Sequence, residues 1–129
     1  MANRIDAERH VEHWRAGSVR SFEAVPTLVD GEFWPEALFW THLVVEKALK
    51  AHVVKATDNF PPFVHNLLRL AELANIELNE QQLDVCQELN KWQLKARYLG
   101  DPKAEIDGAA AKRLIEKARE FHQWLLKTL

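Results

Sequence analysis

Trp34-Pro35-Glu36-Ala37-Leu38-Phe39-Trp40-Thr41-His42-Leu43-Val44-Val45-Glu46-Lys47-Ala48-Leu49-Lys50-Ala51-His52-Val53-Val54-Lys55-Ala56 is the stretch that decides the fold. Pro35 sits in its first turn, where a missing N–H costs nothing. From there Leu38, Phe39, Leu43, Val45, Leu49 and Val53 carry a helical pattern that nearly encircles the axis. A helix that is apolar on all sides has to be covered on all sides. The stretch therefore reads as the central helix of a bundle, with Glu46 and Lys50, four residues apart, paired along its surface.

The flanking segments supply the cover. On the N-terminal side a first helix spans about Asp6 to Leu28, with Val11, Trp14, Ser18, Phe22 and Val25 along one face. Pro26 should kink or close it, because its ring displaces a helix hydrogen bond. Asp30-Gly31 breaks the chain before the central helix, and Pro61-Pro62 forbids helix before His65. Leu67, Leu68, Leu70, Ala71 and Leu73-Ala74 then form a short amphipathic helix. Asn79 with Gln82 has the capping-box pattern and starts a fourth helix. That helix buries Val85, Leu89, Trp92, Ala96 and Leu99, beside a stripe of Leu83, Cys86, Asn90, Gln93 and Arg97 that grows more polar toward its end. Gly100-Asp101-Pro102 is the next break. Asp107 caps a fifth helix from Gly108 to the end, buried along Leu114, Ala118, Phe121 and Leu125 and widened by Ile115, His122 and Leu126. The reading is all-α: residues 1–129 as a single domain, an up-and-down antiparallel bundle of about five helices.

Composition agrees and excludes several function classes. The chain has 129 residues, 28% charged and 47% hydrophobic, with four Gly and five Pro. A domain of this size buries roughly two-thirds of its unfolded surface, so it needs neither disulfide nor metal to hold together. Cys86 is the only cysteine and has no internal partner, which fits a reducing cytoplasm. No apolar run is long enough to span a bilayer, and Met1-Ala2-Asn3-Arg4 does not open a signal peptide. A net charge of −2 excludes a strongly basic nucleic-acid coat, though not a local basic patch. The five Trp and six Phe ask for burial, in the core or against a second copy.

Six histidines are the first candidates for chemistry. His10 and His13 have a spacing compatible with one metal, but no neighbouring residues complete the ligand set zinc wants. They read as exposed helix residues, and neither a metal nor a cofactor is expected. His42 and His52 lie within about 80° of each other around the helix but about 15 Å apart along it, too far to share a metal. Packing or a dimer seam suits them better. Nucleophile elbows and phosphate-cradling glycine loops are absent, and Cys86 on its apolar stripe reads as a small core residue.

Three segments carry the most information: Glu46-Lys47-Ala48-Leu49-Lys50-Ala51, His65-Asn66-Leu67-Leu68-Arg69-Leu70 and Ala96-Arg97-Tyr98. In the order and spacing of all three, from about Trp14 to Leu126, the chain resembles the HEPN domain of prokaryotes and higher eukaryotes. The family pattern is a second helix ending in Glu-Lys-x-Leu-Lys-Ala, a His-Asn/Asp-Leu helix start, and a fourth helix ending in Ala-Arg-Tyr-Pro-Asp. The resemblance implies a prokaryotic, cytoplasmic helical domain that often forms homodimers. It also implies a nucleotidyltransferase partner in a toxin–antitoxin-like or nucleotide-binding pair, and no membrane. Many members are metal-independent ribonucleases whose site is an Arg and a His separated by four to six residues at the dimer interface.

This chain departs from the ribonuclease pattern. The positions counted from Arg97 hold Pro102, Lys103 and Ala104, not His. Arg4 and His10 have the spacing but stand at the wrong end of the chain. No group at the family position would deprotonate a ribose 2′-OH or protonate a leaving oxygen, a contribution typically of about 10² to 10⁴ in rate. Leu99 also replaces the usual Pro after Tyr98. The expectation is therefore nucleotide or RNA binding. Arg97 would clamp phosphate, Tyr98 or Trp92 would stack on a base, Lys50 and His65 (with Lys47 and Lys95) would add positive charge, and Glu46 would orient Arg97. Two alternatives stay open: a non-catalytic homodimeric subunit that docks an enzyme, with Arg97 paired to Glu46 and Tyr98 filling a gap, and a ribonuclease using another residue.

Overall fold

The computed structural model describes residues 6–95 and 105–129. Within them the chain forms six helical segments and no strand: α1 (Ala7–Glu23), α2 (Val25–Asp30), α3 (Trp34–Thr57), α4 (Leu67–Leu73), α5 (Glu80–Lys95) and α6 (Gly108–Lys127). The expected first helix is split into α1 and α2. Pro26 has no N–H for the carbonyl one turn back, so regular helix ends at Glu23 and restarts at Val25 with Pro26 in the new first turn. The turn after α2 also differs in detail. Gly31 has φ −82°, and Glu32 takes the left-handed conformation at φ 59°, closed by the Phe33 N–H donating to the Leu28 carbonyl at 2.9 Å.

The starts of the helices follow their local sequence. Asn79 and Gln82 exchange hydrogen bonds of 3.0 and 2.8 Å ahead of α5, the expected capping box. Asp107 accepts from the Ala109 N–H at the start of α6. Gly108 lets that turn lie against the Trp34 indole, where a Cβ would meet a ring carbon at 2.9 Å.

α3 packs against each of the other five helices and is buried around its circumference, as its sequence requires. The main core joins Val45, Leu49 and Val53 of α3 to Leu67 and Leu70 of α4, Val85, Cys86 and Leu89 of α5, and Phe121 and Leu125 of α6. A smaller cluster joins Leu38, Trp92 and Ala111. Cys86 is wholly buried and its thiol is pushed up to about 12 by desolvation, the chemistry of a core residue. Trp92 is buried, Trp14, Trp34 and Trp40 are half-buried, and Trp124 is exposed. The C-terminal part expected of the fourth helix, with Ala96, Arg97, Tyr98 and Leu99, and the Gly100-Asp101-Pro102 break lie outside the described residues, as does Arg4.

Buried histidines link the helices. His52 donates from Nε2 to the Leu125 carbonyl at 2.8 Å, tying α3 to α6. The Ser18 hydroxyl donates to the Arg15 carbonyl at 2.7 Å, so His122 Nε2, 3.0 Å from the same oxygen, must be the donor across α1 and α6. These are packing roles inside one chain. Burial lowers the pKa of His52, and burial with the nearby Arg15 charge lowers that of His122 from 6.5 to about 4. Above pH 6.5 His122 is neutral folded and unfolded. Between 6.5 and 4 the unfolded chain takes a proton that the fold refuses, so stability falls as the pH falls, by at most ~1.4 kcal/mol per unit for each such residue. Urea unfolding at pH 7 and pH 5 is expected to show this loss, and His122→Gln to reduce it. An equal loss in the variant would assign it elsewhere.

Candidate functional site

Three polar side chains at four-residue intervals lie on one face of the apolar helix α3: His42, Glu46 and Lys50. Glu46 and Lys50 are each only 5% exposed. Such a carboxylate needs partners for both oxygens. Lys50 Nζ stands 3.1 Å from Oε2, so the pair expected along the helix forms, but beneath the surface. Trp14 of α1 covers it, with Lys50 Nζ 5.3 Å from the ring centroid. Glu46 Oε1 is met by His65 Nδ1 at 3.0 Å.

Local sequence brings His65 there. Pro61-Pro62 keeps the chain from turning helical, and Asn66 ends the loop as the N-cap of α4, accepting from the Leu68 and Arg69 N–H groups. Asn90 of α5 then fixes that cap from outside. Its Oδ1 accepts from the Leu67 N–H at 3.0 Å, and its Nδ2 donates to Asn66 Oδ1 at 3.0 Å. The same Oδ1 lies 3.3 Å from His42 Nε2, which makes that nitrogen a donor. Desolvation lowers the pKa of His42, opposed only in part by Glu46, Asn90 and the His65 backbone. The 3.7 Å approach of neutral His42 to Glu46 is thus a packing contact, not an ion pair.

The consequence for His65 is chemical. A carboxylate only accepts, so Nδ1 carries the proton and Nε2 of the neutral ring keeps its lone pair. The His65 side chain is 55% exposed while its Nδ1 faces the buried carboxylate. An imidazole held in this way can accept a hydrogen bond or a proton from a bound molecule.

Of the residues singled out in the sequence, Glu46, Lys50 and His65 come together in one cluster. Arg97 and Tyr98 lie outside the described residues. Glu46 meets Lys50 and His65 among the described residues. Lys47 donates to Ser21 at 2.8 Å, and Lys95 lies over Trp92. His10 packs edge-on against Phe60 and His13 against Trp14, and among the described residues no group of three His, Cys, Asp or Glu is placed to hold a metal. Sequence reasoning missed Asn66 and Asn90 as organisers. The signal was present for Asn66, a capping residue after Pro-Pro. Asn90 was visible only as a polar interruption of an apolar stripe.

The HEPN domain model matches residues 11–129. The chain belongs to the HEPN domain family. The match spans the region of the motif resemblance, and the helical bundle agrees with it. Comparison with curated proteins finds no match. At the family level, HEPN membership supports a nucleotide- or RNA-related helical module of a kind that commonly dimerises. Among the described residues no helix is long and apolar enough to cross a membrane.

Removing one partner of a buried ion pair leaves the other charge stranded. Glu46→Ala is therefore expected to lower urea stability by about 3–5 kcal/mol. Combining Glu46→Gln with Lys50→Met should recover a large part of it. A loss below about 1 kcal/mol, the range of exposed pairs, would contradict the buried placement.

Proposed function

We propose that this HEPN domain binds a nucleotide or an RNA phosphodiester at the His65–Glu46 pair together with Arg97 and Tyr98 of the segment that follows α5, and that it acts with a nucleotidyltransferase partner in a toxin–antitoxin-like pair, as a cytoplasmic homodimer. The observation that carries the reading is the 3.0 Å contact between buried Glu46 and exposed His65, which sets a polar, oriented group at the surface of an otherwise apolar packing. In this reading His65 offers its ring to the ligand and Lys50 contributes positive charge from beneath. Arg97, two residues past Lys95 in the sequence, clamps phosphate through paired charge-assisted hydrogen bonds, and Tyr98 stacks or positions the base. α5 packs against both α3 and α4, which supports a site shared by these segments.

The same contact favours a second reading, cleavage of RNA without metal. The sequence has no histidine at the expected distance after Arg97, but His65 Nε2 is a base of the required kind. In that reaction the 2′-OH proton passes to Nε2, the O2′–P bond forms as the P–O5′ bond breaks, and the leaving oxygen takes up a proton. The remaining reading, a subunit that only docks its partner, predicts no ligand effect at all.

Thermal unfolding with ATP, GTP and a short RNA separates these readings. A ligand at a hundred times its Kd stabilises by about 2.7 kcal/mol, several degrees in Tm. The expected result is a shift in the parent that disappears in Arg97→Ala and His65→Ala. No shift with any ligand would leave the docking subunit. Release of 2′,3′-cyclic phosphate ends, abolished by His65→Ala, would establish cleavage.

A further inference from the structure

A cavity of about 800 Å³ opens between the first turns of α1 and the loop that leads to His65. The loop side carries Phe60, Pro61 and Phe63, and Trp14 of α1 also lines the cavity. The α1 side carries Arg9, His10 and His13. The single carboxylate in the lining, Asp6, is turned to its own helix, where it accepts from the Arg9 N–H at 3.2 Å. The groove therefore offers flat apolar faces beside a cluster of groups that donate hydrogen bonds or carry positive charge.

The exposure of its aromatics has no packing explanation. Phe63 is fully exposed and Phe60 is 60% exposed. An unburied Phe forgoes the transfer free energy that burial would gain. The backbone that carries them is nevertheless stiff. Pro61 and Pro62 fix two backbone torsions between them, and the Val64 N–H closes a three-residue turn about Phe63 on the Pro62 carbonyl at 2.8 Å. His10 meets the Phe60 ring edge-on, with centroids 4.7 Å apart. Solvent-facing aromatic side chains on a stiff backbone leave fewer degrees of freedom to be lost when something stacks on them.

We propose that this groove is a base-stacking site: it takes one unpaired nucleobase against Phe63 and Phe60, with the adjoining phosphate on Arg9 and His13. Stacking on aromatic side chains beside a cationic wall is the chemistry that holds single-stranded nucleic acid. Two residues relate the groove to the His65 cluster. Trp14 lines it and covers Lys50, and Phe63 stands two residues before His65. The proposal rests on the nucleotide reading above and deepens it, since a ligand that reaches both places is a single-stranded oligonucleotide and not a mononucleotide.

The test is fluorescence anisotropy of a fluorescein-labelled, single-stranded octaribonucleotide with the full chain and with Phe63→Ala, Arg9→Gln and His65→Ala. Phe63 touches no core, so its variant should keep the parent Tm. Loss of one stacked base should weaken binding about 5- to 150-fold. Arg9→Gln should lower the log–log salt slope by about 0.7, one phosphate contact on a single strand. A duplex of the same sequence, its bases paired, should bind more weakly than the single strand. Unchanged affinity in Phe63→Ala with weakened affinity in His65→Ala would overturn the groove and keep the His65 site. The converse would keep the groove and overturn the role of His65. Duplex bound as tightly as single strand, or a Phe63→Ala variant that changes only the oligomeric mass, would overturn base stacking in favour of backbone contact or of a second copy of the chain. If the parent does not bind the octamer the groove proposal fails, and the mononucleotide Tm shifts then decide the His65 site on their own.

Discussion

A carboxylate buried in the middle of an apolar helix is the constraint on which the rest of this structure turns. α3 is covered on every side, and Glu46 lies near its centre at 5% exposure. Such a group is tolerated only with its oxygens engaged, and the engagement draws on three other side chains. Lys50 supplies the charge, Trp14 of α1 shields the ammonium, and His65 closes the second oxygen. The loop before α4 cannot shift without stranding Glu46. For that reason its last residues are pinned twice more, by the Asn66 cap and by Asn90 of α5.

This arrangement separates two kinds of histidine. His42, His52 and His122 are buried, kept from protonation by desolvation, and serve as hydrogen-bond links between helices. His65 is different because its partner is a carboxylate and its side chain is exposed. Burial of the partner with exposure of the imidazole is what turns a packing device into a group able to meet a ligand. The nearby groove presents aromatic side chains from a backbone stiffened by Pro61 and Pro62.

Much of the fold was legible in the sequence, because the decisive signals are local. The encircling apolar pattern from Trp34 onward, the Asn79/Gln82 box and the Asp107 cap each act within a turn or two, and each appears where expected. Pro26 announced a break, and its place at Ala24 follows from the carbonyl left without a donor. The left-handed residue after α2 was less legible, since Gly31 drew the eye while Glu32 takes the positive φ. The site was legible in part. Glu46 and Lys50 are four residues apart and betray their pairing, but 19 residues separate Glu46 from His65, and no periodicity reports a contact of that kind. The family motifs marked His65 without giving its partner. Asn90, which joins α5 to α3 and to the start of α4 through one amide, shows in the sequence only as a polar residue on an apolar stripe.

The tautomer of His65 tests the central claim most directly. Long-range ¹H–¹⁵N correlation of the histidine rings in uniformly labelled protein, at a pH where His65 is neutral, should find Nδ1 protonated and Nε2 bare, the reverse of the usual preference of a free imidazole. In Glu46→Gln the preference should move back toward Nε2–H. A neutral His65 protonated at Nε2 in the parent, or a tautomer indifferent to Glu46→Gln, would mean that the buried carboxylate does not set the ring, and the account of the site would fail with it.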